Sequence, residues 1–215
     1  MEKLVYLEKL ECLSERFKVM MQDAPGFHDS LMEKILDTDR KIIYTKGKFY
    51  SLKPFESQIY GFKNARPLKN RPSNMKNVYL NHFDDKNNLL LIEQINDDNS
   101  KCFNREFFVR SSNIVESVYF YFAGSARIRN MSHFYYENNL IRELYNQGVS
   151  GNSCWTFFYE NKLLDRILIS ERENLKSDFS ERVLSFKYNK NDLTEINSLS
   201  SSGYKEVLFP TKQPV

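Results

Sequence analysis

Glycine, proline, cysteine and tryptophan are all scarce in this sequence of 215 residues. The 7 glycines and 6 prolines are too few for a collagen-like or low-complexity chain. The three cysteines, Cys12, Cys102 and Cys154, are an odd number and form no CxxC pair, so neither a disulfide framework nor a zinc site is expected. A chain of this kind suits a reducing compartment, and we predict that it is cytoplasmic.

Long hydrophobic runs and a large excess of one charge are also missing. No apolar run approaches the roughly 18–20 residues that span a bilayer, and residues 1–17 carry acidic side chains without the hydrophobic core of a secretory signal. The 31 basic and 28 acidic residues give a formal net charge of +3. Membrane contact is therefore not expected, and the charge does not require a nucleic-acid partner.

Aromatic residues, by contrast, are abundant. Phe and Tyr number 17 and 13, and aromatic residues make up 14% of the chain. Such residues favour strands and bury large areas, so the chain can build a substantial β-rich core. Its length suits one large domain, or one domain with a small appendage.

The first quarter of the chain is patterned as two helices and a hairpin. Apolar residues recur at helical spacing over about residues 2–22, and the Pro-Gly pair at 25–26 is expected to end this first helix. Asp29 or Ser30 is expected to cap a second, short helix. Residues 41–52 alternate on both sides of a Lys-Gly pair, which predicts a β-hairpin.

The patterning divides the chain into three segments. Residues 1–56 are predicted to be a helical and hairpin module, residues 57–77 a basic loop, and residues 78–215 an antiparallel meander of short strands and polar turns. We expect the first and last segments to form one continuous domain. The predicted fold class is α+β, in which an N-terminal helical pair precedes and covers a large, twisted, mainly antiparallel β-sheet.

A short phrase, Tyr-Glu-Asn followed two residues later by Leu, occurs at 136–140 and again at 159–163. Similar Asn- or Asp-rich turns lie at 84–88 and 189–192. Asn and Asp accept left-handed backbone angles, so each of these stretches predicts a β-hairpin. We expect the aromatic residue before each turn and the Leu after it to be neighbours across the two strands.

The phrase resembles a known repeat. Phe157-x-Tyr159-Glu160-Asn161-x-Leu163 is similar to the tyrosine-aspartate repeat of rearrangement-hotspot (Rhs) shell proteins, although Glu replaces Asp and the turn has no Gly. In size and texture the chain resembles the immunity proteins that are encoded beside bacterial polymorphic toxins. That resemblance implies a cytoplasmic toxin inhibitor in contact-dependent competition, which binds a cognate protein toxin as a monomer or in a 1:1 heterodimer.

The sequence contains no recognisable catalytic motif. It contains no GxSxG, HExxH, P-loop or GxGxxG pattern. His28 is expected to be a capping or surface residue, and His82 and His133 to pack beside aromatic residues in strands. A nucleophile–base pair of Cys154 and His133 is conceivable, but nothing near either residue supports it. We predict no catalytic residue and no cofactor, and an enzyme with a scattered site remains an alternative.

Two carboxylate pairs, at 84–85 and 97–98, could bind a cation or act in acid–base chemistry. Both pairs adjoin Asn-rich turns, so we interpret them as solvated turn residues. No metal site is therefore predicted.

Tyrosine and arginine residues of the strands are candidates for binding a partner, because these residue types dominate protein–protein hot spots. On an exposed sheet face they would form one Tyr/Arg surface, and the alternative is ordinary charge on a solvated sheet. The candidate residues are Tyr119, Tyr121, Arg127, Arg129, Tyr135, Arg142, Glu143, Tyr145, Asp165 and Arg166.

Residues 57–83 contain no Asp or Glu, which makes them the one segment with a marked charge asymmetry. Its basic side chains could contact phosphates or an acidic partner, and the aromatic residues beside them could stack on bases. A solvated loop and a protein-facing loop are the other interpretations. The basic residues are Lys63, Arg66, Lys69, Arg71 and Lys76.

Taken together, the sequence favours a non-enzymatic protein-binding module, and more specifically an immunity protein that covers the active site of its toxin. A small nucleic-acid-associated protein that uses the 57–83 segment is the alternative.

Overall fold

A computed structural model describes residues 2–38, 41–62, 65–95 and 103–210. Three helices lie within these ranges: α1 (Glu2–Gln22), α2 (Ala24–Leu36) and α3 (Glu56–Ile59). The strands of the same ranges are β1 (Lys41–Lys46), β2 (Arg66–Pro67), β3 (Val78–Phe83), β4 (Leu89–Ile95), β5 (Phe103–Ser111), β6 (Ile114–Ala123), β7 (Ser125–Glu137), β8 (Leu140–Gly148), β9 (Asn152–Glu160), β10 (Leu163–Arg172), β11 (Ser180–Asn189), β12 (Asp192–Ser200) and β13 (Lys205–Phe209).

The strands of the described residues form one open antiparallel sheet. From β3 to β13 each strand pairs with the next one along the chain, as in a meander. The other end departs from chain order, because β1 lies between β3 and the short edge strand β2. Two N-terminal helices followed by a large antiparallel sheet confirm the predicted α+β class and the predicted meander.

The boundary between the two helices differs from the prediction. Asp23 caps α2, since its Oδ1 accepts a hydrogen bond of 3.0 Å from the Gly26 amide. Pro25 stands in the first turn of α2, where a missing N–H costs nothing. The Pro-Gly pair therefore opens the second helix, and the prediction of a cap at Asp29 or Ser30 is wrong.

The predicted hairpin over residues 41–52 does not form. β1 pairs with β3 and with β2, both of which lie far along the chain. Gly47 has a φ of 83° and turns the chain away from the sheet. Residues 48–62, called the cover segment below, then cross one face of the sheet instead of extending it. Alternating apolar residues suit a strand and such a covering segment equally well.

The predicted basic loop at 57–77 is only partly a loop. It contains most of α3 and the edge strand β2, which pairs with Thr45 and Lys46 of β1. β1 and β2 thus belong to the same sheet as β3–β13.

The two faces of the sheet carry separate hydrophobic cores. On the helix-covered face, α1 and α2 pack on strands from the middle of the sheet through residues such as Leu13, Phe17 and Leu31. On the segment-covered face, Tyr50 and Phe55 belong to a second core that extends from β1 to β13. Successive side chains of a strand alternate between these two cores.

The sheet curls around the cover segment. Tyr50 contacts Phe83 in β3, with ring centroids 4.9 Å apart, and Phe55 contacts Phe186 in β11, with centroids 5.6 Å apart. The five residue steps between them span at most about 18 Å. In a flat sheet, eight strand spacings of about 4.8 Å would separate β3 and β11 by about 38 Å.

The predicted hairpin turns are confirmed at 136–140 and 159–163. Asn138 and Asn139 have φ of 51° and 62°, and Asn161 and Lys162 have φ of 49° and 68°, as a two-residue turn with left-handed angles requires. The predicted cross-strand neighbours are partly wrong. Leu140 and Leu163 pair with the Glu of each phrase. The Tyr of each phrase pairs with the residue after the Leu, which is Ile141 or Leu164.

A β-bulge recurs in four hairpins and explains the spacing of their core residues. The second strand of each has one extra residue after its first core aliphatic residue, so the core positions are three residues apart instead of two. The resulting pairs are Leu89 and Ile92, Ile141 and Leu144, Leu164 and Ile167, and Leu193 and Ile196, all of which belong to the segment-covered core.

Candidate functional site

A polar cavity of about 460 Å³ lies on the segment-covered face, between the cover segment and strands β5, β6 and β7. The cover segment contributes charged side chains from one side, and three neighbouring strands contribute theirs from the other. The residues that dominate its chemistry are Lys48, Lys53, Glu56, Glu106, Tyr119 and Arg129.

The strand residues of the cavity point inward because of the alternation of the sheet and of one β-bulge. In β7, Ala126 and Ile128 belong to the helix-covered core, and Arg129 follows as the extra residue of a bulge opposite β6, so that Arg129 and Asn130 both line the cavity. In β6, Val118 and Phe120 likewise belong to the helix-covered core, which places Tyr119 in the cavity.

Lys48 holds the two carboxylates of the cavity. Its Nζ lies 2.9 Å from Oε2 of Glu56 and 3.9 Å from Oε2 of Glu106. Glu106 also accepts a hydrogen bond of 2.7 Å from the Ser117 hydroxyl. Burial disfavours the ammonium form of Lys48, but Glu106 and Glu56 together outweigh burial and raise its pKa. Burial likewise opposes the charge of Glu56, and Lys48 nevertheless lowers the pKa of that carboxyl group.

Lys53 is the less compensated lysine of the cavity. Its Nζ lies over the ring of Trp155 in β9, 4.9 Å from the ring centroid. Burial lowers the pKa of Lys53, against the opposing attraction of Glu56. Among the residues that the structure describes, no carboxylate comes within 4.0 Å of the Lys53 ammonium group or the Arg129 guanidinium group.

Exposed aromatic side chains surround the mouth of the cavity. Tyr60 and Phe62 line it and stack on each other, with centroids 5.6 Å apart and an interplanar angle of 24°. Phe62 also lines an adjoining depression together with Phe49. The exposed fractions of Phe49, Tyr60 and Phe62 are 46%, 44% and 50%. Three large aromatic side chains are thus available to solvent at one place.

Four of the predicted partner-binding residues lie on the segment-covered face. Tyr119 and Arg129 line the cavity. Tyr121 and Arg127 are opposite each other in β6 and β7, on the same face but outside the cavity.

Three other predicted residues lie on the helix-covered face beneath α1. Tyr145 is buried there, and Tyr135 packs edge-on against it, with ring centroids 5.6 Å apart. Glu143 forms an ion pair with Lys9 of α1, whose ammonium group also lies over the Tyr135 ring. Tyr145 therefore cannot belong to an exposed partner surface, because the first helix covers it.

The last three predicted residues lie near the hairpin turns. Arg142 and Asp165 are the extra residues of their bulges. Arg142 Nε lies 2.9 Å from Oε2 of Glu137, and the Arg166 guanidinium lies 4.6 Å from the centroid of the Phe158 ring. The predicted Tyr/Arg surface is thus divided into three separate groups.

The basic residues at 57–77 that the structure describes do not line the cavity. Lys63 lies outside the described residues. Arg66 belongs to β2, and Lys69, Arg71 and Lys76 are exposed near the same edge of the sheet.

The three histidines lie on the helix-covered face, away from the cavity. His28 is buried against the rings of Phe107 and Phe120, so the prediction of a capping or surface residue is wrong. Its Nε2 accepts a hydrogen bond of 2.8 Å from Arg105, and its Nδ1 therefore carries the proton that it donates to Asp29. Burial lowers the pKa of His28.

The conceivable catalytic pair has other partners. His133 Nε2 lies 2.9 Å from Oε2 of Glu116, which Arg16 of α1 also binds. Burial raises the pKa of Cys154 to about 11. Neither His133 nor Cys154 lines the cavity.

Of the two carboxylate pairs, only the one at 84–85 lies within the described residues. Asp84 accepts hydrogen bonds from the backbone amides of Lys86 and Asn88, as a turn residue does, and the pair at 97–98 lies outside the described ranges. Within the described ranges, no group of three or more His, Cys, Asp or Glu side chains is arranged to hold a metal ion.

The cover segment was missed as a functional element at the level of sequence. By sequence alone, Lys48, Lys53 and Glu56 belong to a predicted hairpin and its flank, and Tyr60 and Phe62 are only possible base-stacking residues. A local signal exists in hindsight, because charged and aromatic residues alternate closely through KFYSLKPFE at 48–56. That pattern does not reveal which strands the segment covers.

No family model, no curated protein and no solved structure matches the chain. None of the helices in the described part of the chain is long and apolar enough to cross a membrane.

Proposed function

We propose that the chain is a non-enzymatic protein-binding module whose binding site is the mouth of the polar cavity. The observation that carries this proposal is the group of exposed aromatic side chains, Phe49, Tyr60 and Phe62, beside a charged cavity that contains Tyr119 and Arg129. Aromatic residues and arginine are the residue types that supply most of the binding energy at protein interfaces.

The arrangement of these aromatic residues suits a partner of macromolecular size. Tyr60 and Phe62 are held against each other by stacking, so little side-chain freedom is lost when a partner covers them. The charged groups below them can accelerate association with a partner of complementary charge. A small ligand inside the cavity would leave most of this aromatic rim in water.

We further propose that the partner is a protein toxin and that this chain is its immunity protein, which acts in the cytoplasm by covering the active site of the toxin in a 1:1 complex. The support is the resemblance in size and composition described above, together with a binding mouth displayed on a broad sheet.

The test is a binding measurement with a matched control. The protein encoded by the neighbouring reading frame is purified, and its affinity for this chain is measured by calorimetry. Phe62→Ala should weaken binding by about 30-fold or more, as for a hot-spot residue. Tyr204→Ala is the control, because Tyr204 is an aromatic residue that is 67% exposed in the β12–β13 turn, and it should change the affinity by less than about twofold.

Two results would count against the proposal. One is the recovery of only nucleic acid, or of nothing, when the tagged chain is used to capture partners from its native host. The other is an equal effect of Phe62→Ala and Tyr204→Ala on the affinity, because the partner would then bind outside the mouth of the cavity.

A second candidate function is nucleic-acid binding at the β1–β2 edge. Its support is that Arg66, Lys69 and Arg71 are exposed there, and no carboxylate of the described residues forms an ion pair with them. Contacts to phosphates would make binding fall steeply with salt. Reversing the charges of Lys69 and Arg71 should then abolish binding, whereas binding that is insensitive to salt and to these changes would remove this candidate.

A further inference from the structure

The charges of the cavity do not balance. Three cations, Lys48, Lys53 and Arg129, meet two carboxylates, Glu56 and Glu106. Both carboxylates lie within 4.0 Å of the Lys48 ammonium group and are thereby engaged. Lys53 and Arg129 have no such partner among the described residues, so the cavity has a formal charge of +1.

Lys53 has the stronger need for an anion. Its ammonium group lies over Trp155, its side chain is partly buried, and burial lowers its pKa. Because the hydration of this cation is already weakened, an anion that enters the cavity meets a reduced desolvation cost on the side of the protein.

We propose that the cavity receives one carboxylate group, from an Asp or Glu side chain of the partner protein, which pairs with Lys53 and Arg129. This inference rests on the proposed protein-binding function and names the chemistry of the partner at that site. An arginine and a lysine together donate the hydrogen bonds that a carboxylate accepts.

The charge balance favours a carboxylate over a phosphate. One negative charge neutralises the cavity, whereas a phosphate, which carries close to two negative charges at neutral pH, would leave it negative and would be repelled more strongly by Glu56 and Glu106. The aromatic side chains at the mouth then contact the residues that flank the acidic residue in the partner. A peptide segment with one acidic residue between apolar residues fits this arrangement.

The chain contains a reporter for the test. Trp155 is the single tryptophan of the sequence, and the Lys53 ammonium group lies over its ring. The probes are a blocked peptide with one Glu between apolar residues, the same peptide with Gln, and inorganic phosphate. Each is titrated into the intact chain at constant ionic strength while Trp155 fluorescence is recorded.

We expect a saturable fluorescence change with the Glu peptide, and a dissociation constant about tenfold or more higher for the Gln peptide. Arg129→Gln should weaken binding of the Glu peptide by about tenfold or more. Arg127→Gln is the matched control, since Arg127 lies two residues away on the same face but outside the cavity, and it should change the binding by less than about twofold. Near-ultraviolet circular dichroism verifies that both variants are folded.

Equal binding of the Glu and Gln peptides would overturn the proposal, as would tighter binding of phosphate or equal effects of Arg127→Gln and Arg129→Gln. If the Glu peptide binds as expected but no protein partner is found, the carboxylate site stands and the proposed function fails. If Phe62→Ala weakens binding of the partner but Arg129→Gln leaves its affinity unchanged, the proposed function stands and this inference fails.

Discussion

Glu93 is the acceptor at the centre of a buried ionic network on the helix-covered face. Its Oε1 lies 2.9 Å from His82 Nε2, and its Oε2 accepts a hydrogen bond of 2.8 Å from Arg105 Nε. Arg105 in turn binds His28 of α2, so the carboxylate connects the sheet to the second helix. Only 14% of the Glu93 side chain is exposed. The substitution Glu93→Gln removes the charge and retains the shape.

The magnitude follows from the pKa of this carboxyl group. Burial opposes its charge, but the hydrogen bond from His82 and the charge of Arg105 outweigh burial and lower the pKa of Glu93 from 4.5 to about 2. At about 1.4 kcal/mol per pH unit, this gap corresponds to about 3 kcal/mol of stabilisation at neutral pH. Removal of one partner from a buried ion pair costs a similar amount, about 3–5 kcal/mol.

The assay is urea unfolding at pH 7, followed by Trp155 fluorescence. Glu93→Gln should lower the free energy of unfolding by about 3 kcal/mol. Glu137→Gln is the matched control, because Glu137 also forms an ion pair with an arginine but is 64% exposed, and it should cost at most about 1 kcal/mol.

The pH dependence gives a second test of the same reasoning. Because folding lowers the pKa of Glu93, the stabilisation is complete above about pH 4.5 and is lost as the pH falls towards 2. The difference in unfolding free energy between the natural chain and Glu93→Gln should therefore shrink through this window. A difference below about 1 kcal/mol at pH 7, or one that does not change with pH, would refute the assignment.

Three further predictions test local features. Lys162 holds a φ of 68° in the β9–β10 turn, so Lys162→Gly should raise the free energy of unfolding in urea by about 0.5–1 kcal/mol, and a decrease would contradict this. A Cβ added at Gly151 would overlap the carbonyl oxygen of Arg172, so Gly151→Ala should lower the same quantity by about 1–3 kcal/mol, whereas an unchanged value would mean that the backbone adapts freely. Cys12 is exposed and Cys154 is buried with a raised pKa, so peptide mass spectrometry should show a maleimide on Cys12 well before Cys154, and equal rates would be inconsistent with the structure.

The parts of the fold that depend on local chemistry could be predicted. The hairpin turns at 138–139 and 161–162 follow from the tolerance of Asn for left-handed angles, and α1 follows from its apolar periodicity. The fate of residues 48–62 could not be predicted in this way. Their alternation is the same in a strand and in a covering segment, and the choice depends on β3, which is distant in the chain and pairs with β1.

The candidate site depends on non-local contacts in the same way. Glu106, Tyr119 and Arg129 come from three strands, and they meet Lys48 and Lys53 only because the cover segment crosses those strands. His28 shows the same limit, because its sequence neighbours suggest a helix surface. The phenylalanines that bury it belong to β5 and β6.

The recurring β-bulge has a consequence for the shape of the whole molecule. A bulge bends its strand and increases the local right-handed twist. Repeated once per hairpin beside the turns at 84–88, 138–139, 161–162 and 190–191, these bends add in one direction and give the sheet its curvature. The width of the cavity is therefore controlled in part by residues that never touch it. Deletion of the single extra residue Asp165 would restore regular pairing between β9 and β10, remove the bend at this place and open the curl from a distance.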